Sequence, residues 1–433
     1  MLVLVAILLA LSFACLLYVF WRKQIHIASN YSMFVFFSFL YSVFPILTAA
    51  GIEPDVWFAH WTLNESELIV STHVAIVAVC NFIWAYTFYT RLRPVRSEEA
   101  QIEPEKAGAY AILVFLLYMA MCIALIIIGQ KYSYTSDART EMGSSFMSKA
   151  KVILASIYIL YMARYGTGRR LTIMFFGFVV LLLVEHSRWY FVSVLFATGF
   201  YLQNRGRMTN KQIAIIALVF LLILSYVGLY RCDVQLTQLD LLLNPFYIEG
   251  DYGSYMVLQT YDLILSGHMS YCTMFADYLV DPAIYLLPRT IFVSEDVDKD
   301  AVGIFPHWVA THQRYLNEKY APLGGFYYTA QASSALPFGG PLIITWLYAM
   351  LTISIENKRN RSSWWNLTYY LYSAGFAFVF IKTRFDLTIN YYLTMSLPAY
   401  VLFYFANRFR NSSLKSSVDT THAESGRTEA CKS

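Results

Sequence analysis

The 433-residue sequence carries little charge for its length. Only 14% of its residues are Asp, Glu, Lys or Arg, whereas 58% are hydrophobic, and the mean hydropathy is +0.48. A soluble protein of this size needs far more charge to cover its surface, so the composition excludes an ordinary soluble enzyme and indicates a polytopic membrane protein. The net charge of +4 is small, and we expect no nucleic-acid partner.

Cysteine motifs and internal repeats are also missing. The six cysteines form no CxxC pair and no zinc spacing. Cys15, Cys80 and Cys122 lie in apolar runs, where a cysteine serves as a small hydrophobic residue. Cys232 and Cys272 share one long hydrophilic segment, and the sequence leaves open whether they form a disulfide or stay as free thiols.

What the sequence has in abundance is long apolar segments. Crossing a bilayer takes about 20 apolar residues, and such runs occur near residues 2–20, 31–50, 68–90, 108–128, 150–166, 212–230, 338–355, 363–381 and 389–406. Two shorter runs, 171–184 and 189–203, flank the charged stretch EHSR. The first run has no basic residues before it, so we expect a first span and not a cleaved signal peptide.

The positions of the basic residues determine whether the two short apolar runs, 171–184 and 189–203, form one transmembrane span or two. Six basic clusters alternate with the apolar runs: Arg22–Lys23; Arg91, Arg93, Arg96 and Lys106; Arg164, Arg169 and Arg170; Arg205, Arg207 and Lys211; Lys358, Arg359 and Arg361; Arg408, Arg410 and Lys415. All six are cytoplasmic only if residues 171–203 form a hairpin of two short helices with EHSR at its external tip. This predicts an all-α polytopic protein with about eleven transmembrane helices, an external N-terminus and a cytoplasmic C-terminus.

This topology divides the chain into four parts. Residues 1–230 form an N-terminal bundle of about eight spans, and 231–337 form one large external loop. Residues 338–410 hold the C-terminal spans, and the polar tail 411–433 is predicted to be disordered. Within the loop, YGSYMVLQTYDLIL and YCTMFADYLVDPAIYLLP have apolar residues near helical spacing, which predicts short helices at the membrane interface.

Several external basic residues are arginines beside the ends of spans. They are Arg188 at the hairpin tip, Arg231, Arg289, Arg314 and Arg384. The guanidinium presents a planar fork of donors that suits phosphate, so their convergence would suit a lipid pyrophosphate. The alternative is that they reach individually for lipid headgroups. His186 and Glu185 would either orient Arg188 or neutralise its charge.

The loop also holds candidate bases and an acidic run. His307 and His312, in PHWVATHQRY, are candidates for taking a proton from a sugar hydroxyl, although each would equally suit an ordinary hydrogen bond. Their spacing of five does not favour a metal pair. The run SEDVDKD, residues 294–300, lacks the glycine and glutamate of a calcium loop, so we expect a solvated acidic turn and no metal or other cofactor.

The chain has many spans, one large external loop late in the sequence and arginines at the edges of that loop. This arrangement and the local sequence LLPRTIF…GFYYTAQASSALPFGGPLI resemble the Wzy-type O-antigen polymerases of bacterial lipopolysaccharide biosynthesis. Members often have a Pro-Arg pair in the loop, here Pro288–Arg289, and a Phe-Gly pair where the chain re-enters the membrane, here Phe338–Gly339. The acidic residue that frequently precedes the Phe-Gly step is missing, and Gln331 and Ser333 stand nearby.

The resemblance implies a metal-independent glycosyltransferase on the periplasmic face of the inner membrane. Its substrates would be oligosaccharide repeat units on undecaprenyl pyrophosphate, and a chain-length regulator would be a partner. It implies catalytic roles for Arg188, Arg231, Arg289, His307 and His312. It also implies substrate-binding roles for Arg314, Arg384, His186, Trp308, Tyr327 and Tyr328. The aromatic rings would stack on sugars or, alternatively, form loop core.

Three other functions fit parts of the sequence. An O-antigen ligase shares the architecture and transfers glycan to the lipid A core. A lipid-linked oligosaccharide flippase is expected to have short loops and an internal repeat, unlike this chain. A sugar acyltransferase is expected to have a histidine in an early span beside an arginine-rich cytoplasmic loop, and His73 has no such partner motif.

Overall fold

The computed structural model describes residues 1–50, 67–93, 102–129, 142–185, 188–219, most of 257–265, 327–383 and 385–430. Most of these residues are helical, and none of them is in a strand. The predicted all-α fold is therefore confirmed for this part of the chain.

The helices follow the apolar runs of the sequence. They are α1 Leu2–Arg22, α2 Asn30–Ala49, α3 Glu67–Arg91, α4 Ala109–Gly129, α5 Met142–Tyr165, α6 Arg169–Glu185, α7 Arg188–Asn204, α8 Asn210–Val219, α9 Tyr328–Ala335, α10 Gly339–Glu356, α11 Ser363–Leu371, α12 Phe378–Lys382 and α13 Phe385–Ala430. A π-helical segment, Tyr372–Ala377, joins α11 to α12.

Five helices are long and apolar enough to cross a membrane by length and composition. They are α1, α2 over Asn30–Leu47, α3, α4 over Ala109–Ile128, and α10. These helices give the chain the make-up of a helical membrane protein. The other six predicted spans coincide wholly or in part with α5, α6, α7, α8, the α11–α12 pair and α13. The count of about eleven spans stays a prediction.

The predicted pair of short helices around EHSR is present. The helices α6 and α7 have 17 residues each, and α6 ends at Glu185 while α7 begins at Arg188. The rings of Phe175 on α6 and Phe191 on α7 lie 5.9 Å apart, so the two helices contact each other. We refer to the boundary between Glu185 and Arg188 as the α6–α7 break.

The last helix is longer than the span predicted from its apolar residues. Whereas the sequence predicts disorder from about residue 411, the structure continues α13 to Ala430. No proline lies between residues 411 and 430 and Gly426 is the single glycine there, so nothing in this stretch forces the helix to end.

The chain divides into two compact units. Unit 1 comprises residues 1–102 and 195–392. In its core, Phe34 stacks on Trp84 at 4.1 Å, and Trp84 lies 5.0 Å from Tyr348 of α10. The many aromatic residues of the sequence therefore pack between α2, α3 and α10, where each buries a large apolar area.

Unit 2 comprises residues 103–194 and 393–433 and includes α4, α5 and α6. Residues 154–164 of α5 are all buried, so this helix is covered on every side. The phenol of Tyr118 on α4 donates to the carbonyl of Met174 on α6 at 2.6 Å. A Cβ on Gly177 would meet the sulfur of Cys122 at 3.0 Å, so α4 and α6 pack closely there.

Candidate functional site

Most residues with predicted roles in the reaction lie outside the described part of the chain. Arg188 is the first residue of α7. Outside the described residues are Arg231, Arg289, Arg314, Arg384, His186, His307, His312 and Trp308. The roles assigned to all of these residues stay predictions.

The described structure instead shows a buried group of one histidine and four tyrosines in unit 1, which we call the Tyr–His cluster: Tyr41, His73, Tyr261, Tyr327 and Tyr328. The Nε2 atom of His73 lies 2.8 Å from the carbonyl oxygen of Tyr41. Because a carbonyl can only accept, Nε2 carries the proton. The His73 side chain is fully buried, and its Nδ1 atom has no hydrogen-bond partner among the described residues.

Tyr327 and Tyr328 form the centre of this cluster. The Tyr327 ring lies 4.8 Å from the rings of both Tyr41 and Tyr328, and the Tyr328 hydroxyl lies 2.6 Å from Oγ1 of Thr345. The two tyrosines are only 1% and 2% exposed. In this arrangement both rings serve as core, and their predicted sugar-binding role stays a prediction.

Part of the predicted external loop inserts into the same cluster. The described residues between 257 and 265 are helical, and Val257, Leu258, Tyr261 and Ile264 are buried. Ser333 of α9 donates a hydrogen bond to the Tyr261 hydroxyl at 2.8 Å. The Tyr261 ring also lies parallel to that of Phe338, at 6.4 Å. This part of the segment is thus packed against the helices and is not a passive linker.

A buried glutamine links α9 to the start of α13. The Oε1 atom of Gln331, a residue that is 3% exposed, accepts a hydrogen bond from the backbone N–H of Phe385 at 2.8 Å. The first N–H groups of a helix have no partner within the helix, so Gln331 caps α13 from a distant part of the sequence. Because Arg384 directly precedes Phe385, this bond fixes the backbone on one side of that arginine.

The Phe-Gly step between α9 and α10 has a steric explanation. Phe338 has a φ of +57°, and a Cβ on Gly340 would lie 1.9 Å from the carbonyl oxygen of Ala332. Only glycine lets the start of α10 approach α9 this closely. The sequence pattern showed a Phe-Gly pair but did not reveal that the second glycine, Gly340, is the one in contact.

The other end of α10 gathers basic residues from distant parts of unit 1. The Lys23 ammonium donates to the carbonyl of Leu92 at 3.2 Å. The side chain of Asn357 accepts from the N–H of Arg93 at 3.1 Å and donates to the carbonyl of Arg91 at 3.2 Å.

The same end of α10 also contacts the end of α7. The Arg359 guanidinium donates to Asn204 Oδ1 at 2.8 Å. Burial, together with the positive charge of Arg359, lowers the pKa of His26 in the α1–α2 turn, so this histidine stays neutral near pH 7. The loops after α1, α3, α7 and α10 therefore meet at one end of unit 1.

Gln331, Gly340 and three members of the Tyr–His cluster, Tyr41, His73 and Tyr261, were not predicted as functional residues from the sequence. The only signal for Gln331 was its place near the position where the resembling family often has an acid. In the described residues, no three His, Cys, Asp or Glu side chains come together as a metal site would require. Compared with known proteins, the chain matches no family model, no curated protein and no solved structure.

Proposed function

We propose that this chain is a glycosyltransferase of the bacterial inner membrane that polymerises undecaprenyl-pyrophosphate-linked oligosaccharide repeat units on the periplasmic face. The observation that supports this best is the hydrogen bond from Phe385 to Gln331. It ties α9, just before the Phe338–Gly339 re-entry, to the residue after Arg384. This bond supports a shared role for the Phe-Gly pair and Arg384, to which the resemblance assigns importance.

The proposal includes about eleven spans, a periplasmic N-terminus and a cytoplasmic C-terminus. The contacts just after the C-terminal end of α10, made by Asn357 and Arg359, support this topology. Basic residues from three of the six predicted cytoplasmic clusters, those after α1, α3 and α10, meet at one end of unit 1, together with Asn204, which directly precedes the cluster after α7. A common end is what the positive-inside rule requires of them.

In the proposed reaction, a terminal sugar hydroxyl of one lipid-linked repeat unit attacks the anomeric carbon of the growing glycan. The bond from that carbon to the pyrophosphate breaks, and undecaprenyl pyrophosphate leaves with the bonding electron pair. A pyrophosphate leaves readily when fixed cations stabilise its developing charge, which is the role proposed for Arg188, Arg231 and Arg289. His307 or His312 takes the proton of the attacking hydroxyl.

Deleting the gene should reduce the lipopolysaccharide ladder to single-repeat molecules, and the wild-type chain should restore it. Arg188→Ala, Arg231→Ala and Arg289→Ala should each abolish long polymer at unchanged protein level. The matched control is Arg207→Ala, because Arg207 is an exposed residue in the α7–α8 turn, on the predicted cytoplasmic side.

The lysine variants test the shape of the proposed phosphate contacts. Arg→Lys should rescue poorly at these three positions, because lysine lacks the planar fork of donors. Normal polymer length in all three alanine variants would refute the assignment of the pyrophosphate site. A deletion strain that attaches no repeat unit to its lipid A core would indicate a ligase instead.

A further inference from the structure

An ionisable side chain is buried in one of the helices that are long enough to cross a membrane. His73 lies in the second turn of α3, about 9 Å along the helix axis from its first residue, Glu67. The proposed topology places this end of α3 near the periplasmic face. Ionisable groups are rare inside spanning helices and usually mark a site with a function.

A proline in α2 explains how the His73 ring is oriented. Pro45 has no N–H group, so the carbonyl of Tyr41, four residues earlier, does not receive its usual helical hydrogen bond. The Nε2–H group of His73 donates to that carbonyl instead, at 2.8 Å. This bond fixes both the tautomer and the ring, and it leaves Nδ1 as an acceptor whose lone pair points away from the Tyr41 carbonyl.

The Nδ1 atom of His73 is a buried acceptor that calls for a donor. No described residue supplies one, whereas buried polar atoms in proteins are almost always paired. The oxygens of a pyrophosphate have no proton to donate, so they do not suit this nitrogen. In apolar surroundings an uncharged donor costs less to bury than a cation, which favours a hydroxyl group.

Two aromatic rings flank the imidazole. The ring of Tyr261 lies 6.2 Å from that of His73, and the ring of Tyr327 lies 6.5 Å from it. Tyr261 belongs to the predicted external loop, and Tyr327 directly precedes α9. The cluster thus combines one oriented polar atom with flat apolar walls, which is the usual composition of a site for an uncharged organic group such as a sugar.

We propose that Nδ1 of His73 binds a hydroxyl group of the saccharide in the lipid-linked substrate. The inference rests on the proposed function and adds a substrate-binding residue to it. The imidazole is fully buried in this structure, so the hydroxyl reaches Nδ1 when Tyr261 turns aside. A hydrogen bond from Ser333 and the parallel ring of Phe338 hold Tyr261 in place, and a movement of the loop can break both contacts.

The first experiment separates the two ring nitrogens of His73 in the complemented deletion strain. The amide of glutamine reaches the position of Nε2 and keeps the bond to Tyr41, but it places no acceptor at Nδ1. The shorter amide of asparagine offers an acceptor at Nδ1 and does not reach Tyr41. His73→Gln should therefore melt close to wild type and produce about tenfold less long polymer. His73→Asn should melt at a lower temperature and yet retain more polymer than His73→Gln.

A purely structural histidine would give the opposite order. If His73 only paired the Tyr41 carbonyl, His73→Gln would keep both the ladder and the stability, and His73→Asn would lose both. That result would overturn the inference while leaving the proposed polymerase activity intact. Thr72→Ala is the matched control and should leave the ladder unchanged, because the Thr72 hydroxyl bonds within α3, to the carbonyl of Leu68 at 2.8 Å.

The second experiment observes Nδ1 directly and does not depend on activity. The full chain with isotope-labelled histidine is placed in nanodiscs, and the nitrogen NMR signal of His73 Nδ1 is assigned by its loss in His73→Gln. One probe is the undecaprenyl-pyrophosphate-linked repeat unit extracted from the host membranes, and the other is undecaprenyl pyrophosphate without sugar. The lipid that carries the saccharide should shift the signal, because Nδ1 then accepts a hydrogen bond from it, and the sugar-free lipid should not.

The NMR comparison has two outcomes that would overturn the inference. An unchanged signal with the saccharide-bearing lipid would mean that water alone serves Nδ1. An equal shift with the sugar-free lipid would mean that the ring responds to the lipid without contacting a sugar. A deletion strain with a normal ladder would instead refute the polymerase activity, and the NMR comparison would still decide whether His73 binds the saccharide.

Discussion

At the scale of single residues, Gln331 shows how one buried side chain connects separate parts of the chain. Its amide oxygen is the acceptor for the first backbone N–H of α13, 54 positions away in sequence. The resembling family frequently has an acid near this position, and an acid would offer the same kind of acceptor. In this chain, Gln331 supplies that acceptor and caps α13 directly after Arg384.

Replacing Gln331 with methionine should destabilise the protein and shorten the polymer. Methionine keeps the length of the side chain but removes the acceptor that Gln331 offers to the part-buried N–H of Phe385, which costs about 1 kcal/mol. The control is Gln212→Met, because Gln212 accepts a bond from the N–H of Thr209 at an exposed helix start, where water can replace it. Thermal unfolding in detergent and the polymer ladder measure both effects, and equal melting temperatures for the two variants would contradict the capping role.

The close packing at Gly340 leads to a second prediction about a single residue. A methyl group at this position would collide with the backbone oxygen of Ala332 at 1.9 Å, and no side-chain rotation can relieve that contact. Gly340→Ala should therefore destabilise the α9–α10 packing by about 1–3 kcal/mol or more. At Gly339 the nearest atom to a new Cβ is Cδ2 of Leu336, at 3.2 Å, which can move.

Gly339→Ala is therefore the matched control for Gly340→Ala, and it should express and melt close to wild type. The measurement is the yield and melting temperature of the two purified proteins. Similar losses for both variants would contradict the role of the close approach to α9, because helix propensity alone favours alanine over glycine at both positions.

At the scale of elements, the apolar runs predicted the long helices well. The run 68–90 corresponds to α3 Glu67–Arg91, and 338–355 corresponds to α10 Gly339–Glu356. Both helices start or end at polar or charged residues or at glycine, so the sequence marks their ends. The break between α6 and α7 was also predictable, because EHSR interrupts two runs of apolar residues.

Other features of the helices depend on tertiary contacts that a sequence pattern does not carry. The span predicted at 363–381 contains the π-helical segment Tyr372–Ala377, although its residues have ordinary helical hydropathy. The buried position of Tyr261 depends on Ser333 and Phe338, which are more than 70 residues away. The bond between Gln331 and Phe385 is long-range in the same way, so the capping role became visible only in the fold.

At the scale of the whole molecule, the arrangement of basic loops makes the topology testable. Exposed positions in two loops at the same end of unit 1, Thr209 and Ser362, should lie in the cytoplasm. The start of α3 lies at the other end of that helix, where Glu67 forms an ion pair with the amino terminus at 2.9 Å. Glu67 should therefore lie in the periplasm.

Single-cysteine variants measure these positions. Thr209→Cys and Ser362→Cys should react with a membrane-impermeant maleimide only after the inner membrane is opened, whereas Glu67→Cys should react in spheroplasts. Each variant is made in a cysteine-free chain that still produces the polymer ladder. Labelling of Thr209→Cys and Ser362→Cys from opposite sides would contradict the common end that the contacts of Asn357 and Arg359 indicate. Labelling of both from the periplasm would invert the topology, move the α6–α7 break to the cytoplasm and remove the physical basis for a periplasmic pyrophosphate site.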